Sequence, residues 1–322
     1  VSVIEIKEYL GGEWLALKDL IDSSLSTDVA LLDKTNKGIL AHSGKMLRPM
    51  IALLLAKAIS EPNACSRHFA AAVELLHNAT LMHDDVADNS TKRRGSPTIS
   101  AMLGPTAAVL TGDFWLARAV QLVLDTEENR KVLPLFTKTL NDLAEGELLQ
   151  MEKASSADTC EDDYFRIIRC KTATLFEVAG AAAASSVNAS EEMYEAARSF
   201  ALLFGIAFQI KDDILDYVGT DELGKPTGVD LQEQKITLPL LGALKASERE
   251  EEIRGKIRNI HSHPEYCDEI RSFVLQNGGM EYAAARLKAY VEMAVSVLDK
   301  LPESQARTYL KEIAEFNLLR EV

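Results

Sequence analysis

From Arg67 to Asp88 the chain runs for 22 residues without a glycine or a proline. That is long enough for a helix of about six turns. Val73, Leu76, Thr80 and Ala87 keep roughly helical spacing within it. The same texture recurs along the sequence. Helical segments are expected over about 106 to 125, 128 to 152, 161 to 186, 191 to 218, 236 to 260, 265 to 276 and 279 to 299. Pro49 is placed to open a further helix at its first turn, running through Met50 to Ile59. Alternating polar and apolar strands are scarce, and no repeat of fixed period or low-complexity linker is visible. The expected fold class is therefore all-α, with residues 1–322 as a single helical domain rather than two. Ala154 to Thr159 and Gly219 to Gly228 are the expected flexible connections.

Composition narrows the function classes. Of 322 residues 47% are hydrophobic, ample for a sizeable core. The 49 acidic against 35 basic residues give a net charge of −14. A chain of that sign is a poor wrapper of nucleic acid, so no nucleic-acid partner is expected. An anionic substrate would need a local basic cluster set against the overall field. Cys65, Cys160, Cys170 and Cys267 form no CxxC pair. They read as free thiols of a reducing, cytoplasmic setting. The apolar run Met50 to Ala56 ends at a lysine, well short of a membrane span, and no transmembrane segment is expected.

Two acidic clusters carry the chemistry. In His83-Asp84-Asp85-Val86-Ala87-Asp88, Asp84 and Asp88 lie one helical turn apart on one face. Like charges at that spacing destabilise an exposed helix by about 0.2–0.5 kcal/mol, and the dipole at a helix C-terminus disfavours them further. A bound cation reverses both penalties. The pattern returns in Asp212-Asp213-Ile214-Leu215-Asp216, again at the end of an apolar helix. Oxygen-only ligands suit a hard ion, and Mg²⁺ typically takes one or two carboxylates together with substrate phosphate and water. Two such patches would hold metals that bridge a diphosphate. A single acidic cluster is more often a solvated helix face; the second copy, with basic residues after each, is what argues for a site.

Those basic residues are Arg93 and Arg94 after the first cluster, Lys225 and Lys235 after the second, Lys171-Thr172 at the head of an apolar stretch, and Lys45 and Arg48 just before a helix start. His77 lies two turns before Asp84. Lys57 and Lys153 read as surface charges.

Taken together, GKMLRP at 44 to 49, ELLHNATLMHDDVAD at 74 to 88, KRRG at 92 to 95, TGDF at 111 to 114, KTATLFE at 171 to 177, FQIKDDILD at 208 to 216 and GKPTGVDLQEQK at 224 to 235 resemble the trans-isoprenyl diphosphate synthase family, polyprenyl type. The resemblance covers most of the chain in family order. It implies antiparallel helices around a deep central cavity, usually in a homodimer. It also implies head-to-tail condensation of isopentenyl diphosphate onto an allylic diphosphate such as farnesyl diphosphate, with several Mg²⁺ ions. Lys45, Arg48, His77 and Arg94 would hold isopentenyl diphosphate. Arg93, Lys171, Thr172, Gln209, Lys225 and Lys235 would hold the allylic diphosphate. Asp84, Asp88 and Asp212 would carry Mg²⁺, supported by Asp85, Asp213 and Asp216. Met46 departs from the family, which often has a basic residue there.

Helical geometry puts Thr80 one turn below Asp84, with Ala79 beside it. Both are small, so a growing chain can pass, and a long, octaprenyl-like product is expected. Phe114, Trp115 and Leu122 are candidates for the deeper floor. The competing readings are a short-chain (farnesyl or geranylgeranyl) synthase, a terpene cyclase and a non-catalytic regulatory subunit.

Overall fold

The structure, a computed structural model, describes residues 2–93, 95–218 and 228–319. In chain order the helices are α1 (Val3–Leu10), α2 (Gly12–Ser24), α3 (Ala30–Ala41), α4 (Leu47–Ile59), α5 (Ala64–Ala87), α6 (Ile99–Leu103), α7 (Pro105–Leu124), α8 (Asn129–Ser156), α9 (Glu161–Ile168), α10 (Thr174–Ser186), α11 (Glu191–Val218), α12 (Val229–Gln232), α13 (Leu238–Lys245), α14 (Glu250–Arg258), α15 (Tyr266–Gln276), α16 (Gly279–Val297) and α17 (Gln305–Leu319). A π-helical turn, Arg169–Ala173, joins α9 to α10. Among the described residues the strands are confined to a two-stranded antiparallel hairpin, β1 (Lys92–Arg93) and β2 (Ser96–Pro97). The all-α expectation holds.

The chain gathers into two compact units. The first comprises Val1–Thr137, Val178–Arg198 and Lys300–Leu310; the second comprises Lys138–Glu177, Ser199–Asp299 and Lys311–Val322.

In the first unit α5 is the central element, packed on α2, α4 and α7. Its start is set by a reciprocal cap: the Asn63 side chain accepts from Ser66 N at 3.1 Å, and Ser66 Oγ accepts from Asn63 N at 3.1 Å. Its end is set by Asn89, which takes a left-handed conformation (φ 52°), one that asparagine tolerates better than most residues. On α4 every residue from Pro49 to Ala56 is buried. Each leucine there contributes about 1.5–3 kcal/mol of apolar burial. Trp115 is fully buried; its Nε1 donates to Asn36 Oδ1 (2.8 Å), whose Nδ2 donates to the Leu25 carbonyl (3.0 Å). Pro49 sits at the third position of α4, not the first, still within the turn where its missing N–H costs no helical bond.

By length and composition alone, α7 is long and apolar enough to cross a membrane. The uninterrupted apolar runs of the sequence do not single this helix out. Thr111, Asp113, Arg118 and Gln121 break the run without lowering the average enough. Its buried face, including Trp115, Ala119 and Val123, belongs to the core against α5.

In the second unit α13 packs on α15 and α16. Phe200, Phe204 and Phe208 recur every fourth residue along α11. Phe176 of α10 meets Phe204 edge-on at 5.2 Å and Phe208 at 5.8 Å.

Two expected helices are broken. The segment 161 to 186 is interrupted by the π turn. The segment 236 to 260 divides into α13 and α14, separated by Ala246 to Arg249. Of the expected flexible connections, Ala154 to Ser156 continue α8, and 219 to 227 lie outside the described residues.

Candidate active site

In the first unit, Asp84 and Asp85 occupy the last turn of α5, and Asp88 caps it, its N–H donating to the Asp84 carbonyl at 2.8 Å. Asp84 is half-buried and Asp88 exposed, whereas Asp85 is only 6% exposed. Arg93 Nε donates to Asp85 Oδ1 at 2.8 Å. Burial pushes the Asp85 carboxyl above the usual range, and the Arg93 guanidinium pulls it part of the way back. The pair lies on the wall of an apolar cavity of about 460 Å³ shared by α3, α5 and α6.

The adjacent His83 explains part of the TGDF stretch. Its Nε2 lies 3.2 Å from the Val109 carbonyl and 3.3 Å from Asp113 Oδ1, so that nitrogen carries the proton. A Cβ on Gly112 would collide with this imidazole. Gly112→Ala is expected to lower stability by about 1–3 kcal/mol, since the ring must leave its acceptors. An unchanged melting temperature would show that α7 does not hold the motif helix in this way.

Lys45 is exposed, Arg48 and His77 are half-buried, and Thr80 Oγ1 donates to the His77 carbonyl at 2.8 Å. Ala79 is 1% exposed. Met46 adopts a left-handed conformation immediately before α4. Arg94 and Lys225 lie outside the described residues.

In the second unit a pocket of about 210 Å³ brings together candidates from separate stretches of sequence: Lys171, Thr172, Gln209, Asp213 and Lys235. Lys171 and Thr172 stand on the π turn, a form frequent at functional sites. The turn presses against α11 at Gly205, where a Cβ would come within 2.7 Å of Ala173 Cα. Thr172 Oγ1 donates to Gln209 Oε1 (2.6 Å), and Gln209 Nε2 donates to Asp213 Oδ1 (2.8 Å). Lys171 is ion-paired with Glu147, and Lys235 with Glu233. Such partly exposed pairs contribute about 1 kcal/mol or less, so an incoming diphosphate can displace the carboxylates at small cost. Asp216 accepts from the backbone N–H groups of Val229 and Asp230, both at 3.2 Å. Asp212 is half-buried on the last turns of α11.

The polyprenyl synthetase profile matches residues 29–274. The chain belongs to the polyprenyl synthetase family. It is 37% identical to the octaprenyl diphosphate synthase of Haemophilus influenzae, covering 99% of this chain and 98% of that one. It is 39% identical to the all-trans-nonaprenyl-diphosphate synthase (geranyl-diphosphate specific) of Rhodobacter capsulatus, over 96% and 95% of the two chains. The solved polyprenyl synthase of Caulobacter crescentus, complexed with calcium and isoprenyl diphosphate, superposes with a TM-score of 0.91 at 33% identity, over 100% of this chain and 98% of that one. The protein is accordingly a prenyltransferase, and a polyprenyl synthetase uses isopentenyl diphosphate and an allylic diphosphate as substrates.

In this polyprenyl synthetase the pocket also contains groups that sequence reasoning missed. Lys153, read as a surface charge, is 19% exposed, paired with Asp163 at 3.0 Å, and lines the pocket. Tyr164, buried on α9, donates to Asp213 Oδ2 at 2.6 Å. Asp230, within the 224 to 235 stretch, also lines the pocket. Burial, reinforced by Asp216, raises its carboxyl to about 7. Burial and then Asp230 push Asp213 well above the usual range. A carboxyl raised on folding holds its proton more tightly in the folded state than in the unfolded one. The stability it contributes is complete below about pH 4 and is lost as pH rises through about 7. Asp230→Asn is therefore expected to raise the melting temperature at pH 8 in chelator-treated buffer, and to have little effect near pH 4. A variant less stable than the parent at pH 8 would refute the repulsion.

The acidic candidates offer only oxygen donors. Among the described residues no three His, Cys, Asp or Glu side chains gather as a ready-made metal cage. An ion held by these carboxylates would complete its shell with phosphate and water oxygens, which suits Mg²⁺.

Proposed function

We propose that the protein is a magnesium-dependent, long-chain all-trans polyprenyl diphosphate synthase with an octaprenyl-like product. The supporting observation is the second-unit pocket, where Lys171, Thr172, Gln209 and Lys235 line one wall system with Asp213. Such a set of donors suits a diphosphate in an otherwise acidic protein. Asp84, Asp88 and Asp212 would hold Mg²⁺, consistent with the calcium in the Caulobacter crescentus complex. Bound Mg²⁺ would neutralise charge on the leaving diphosphate.

The chain's own residues do the rest. Lys171, Lys235, Arg93 and Lys225 grip the allylic diphosphate and stabilise the charge that develops as its C–O bond breaks. Lys45, Arg48, His77 and Arg94 orient isopentenyl diphosphate for attack. Apolar walls keep water from the allylic cation. The departing diphosphate accepts the proton lost at the end. Asp85, Asp213 and Asp216 support: they hold Arg93, Gln209 and the backbone entering α12.

Farnesyl diphosphate is the proposed primer. Geranyl diphosphate is the competitor, on the similarity to the Rhodobacter capsulatus enzyme. We place the protein in the cytoplasm as a homodimer. Leu110 (62% exposed) and Leu124 (45%) lie fourteen residues apart on nearly one face of α7, suited to cover by a second copy. All four cysteines are free thiols, as a reducing compartment would keep them.

The test is incubation of the pure protein with farnesyl diphosphate, isopentenyl diphosphate and Mg²⁺, with the extracted products sized. A long-chain polyprenyl diphosphate is expected. Products that stop at geranylgeranyl length, or a cyclised hydrocarbon formed without isopentenyl diphosphate, would overturn the reading.

A further inference from the structure

The hydrogen bonds in the second-unit pocket form a directed chain. Both Asp213 oxygens accept, Oδ1 from Gln209 and Oδ2 from Tyr164, so Gln209 turns its amide nitrogen to Asp213 and its oxygen to Thr172. The Thr172 hydroxyl proton is then committed to Gln209, and the second N–H of Gln209 remains as a donor for a phosphate oxygen. What fixes the carboxylate at the head of this chain is Tyr164. Its hydroxyl donates to the other Asp213 oxygen at 2.6 Å. Its ring is 3% exposed and meets Phe165 edge-on at 5.2 Å, so the phenol has little freedom to follow a moving partner. Tyr164 stands on α9 while Asp213 and Gln209 stand on α11, so the hydroxyl ties the donor helix to a second element.

We propose that Tyr164 is the positioning residue of the allylic-diphosphate pocket: by locking the Asp213 carboxylate it holds the Gln209 amide, and with it Thr172, in the orientation that receives the diphosphate. The inference rests on reading this pocket as the allylic-diphosphate site. Tyr164 acts through Gln209 and makes no contact with the reacting carbon. Without the hydroxyl, Asp213 can turn about its Cβ–Cγ bond, and the amide loses the fixed acceptor that selects its orientation.

Tyr164→Phe keeps the ring and removes only the donor. Farnesyl diphosphate and isopentenyl diphosphate are each varied at saturating partner with Mg²⁺, and farnesyl diphosphate binding is measured by calorimetry without isopentenyl diphosphate. The variant is expected to raise both the KM and the Kd for farnesyl diphosphate by about tenfold, the loss of one hydrogen bond to a charged group. The KM for isopentenyl diphosphate should stay within twofold. Gln209→Met removes the link through which Tyr164 acts, so adding Tyr164→Phe to it should weaken binding no further. A farnesyl diphosphate affinity within twofold of wild type, an equal rise for both substrates, or multiplying effects in the double variant would overturn the role of Tyr164 while leaving the pocket's function standing. A wild-type protein that neither binds nor extends farnesyl diphosphate would overturn both.

Discussion

Asp84→Ala and Asp212→Ala are each expected to lower turnover by at least about 10²–10³-fold, the scale for removing one group that stabilises transition-state charge. The fold should not suffer. Asp84 stands in the last turn of α5, where the helix dipole opposes an anion, with Asp85 and Asp88 beside it. Removing it in metal-free buffer should therefore leave the melting temperature unchanged or slightly raised, by the equivalent of about 0.5 kcal/mol. Asp85→Ala should behave in the opposite sense. Asp85 is buried and holds Arg93, so its loss strands a guanidinium and lowers stability. Near-normal turnover of Asp84→Ala in saturating Mg²⁺ would contradict the metal assignment. A large stability loss in that variant would show that the carboxylate is structural.

Ala79→Tyr is expected to change what the enzyme makes. Ala79 lies five residues before Asp84, about 7.5 Å along the helix axis. Thr80 beside it has its hydroxyl committed to the His77 carbonyl and so presents its methyl. A phenol ring at 79 would floor the path of the growing chain at that depth, giving farnesyl- or geranylgeranyl-length products while the first condensations still run. Since Ala79 is 1% exposed, the melting temperature must be followed alongside. Shortened products from a folded enzyme support the floor. The parent's long product from a folded variant rejects it.

The helical architecture was legible because its signals are local. Periodicity placed α11 at its observed ends and α7 to within a residue. The π turn was not legible: Arg169 to Ala173 contains no breaker, and its close neighbour Gly205 stands on a helix remote in sequence. The helices near the N-terminus and α17 were not placed from the sequence. At the site, the aspartates and the lysine motifs announced themselves by repetition. Tyr164, Glu147 and Lys153 did not. Each is a common residue on an ordinary helix, and its importance lies in what the fold sets beside it: Asp213, Lys171 and the pocket wall. Asp230 was within a quoted motif, but only the three-dimensional neighbourhood of Asp213 and Asp216 shows how strongly its charge is opposed.

The central claim, that these carboxylates hold divalent ions for a diphosphate, is tested most directly by counting Mn²⁺ bound at equilibrium in the presence of inorganic diphosphate. The wild-type chain should bind more than one Mn²⁺, and Asp84→Ala and Asp212→Ala should each bind fewer, with both variants folded. Equal Mn²⁺ binding by all three proteins would contradict the account.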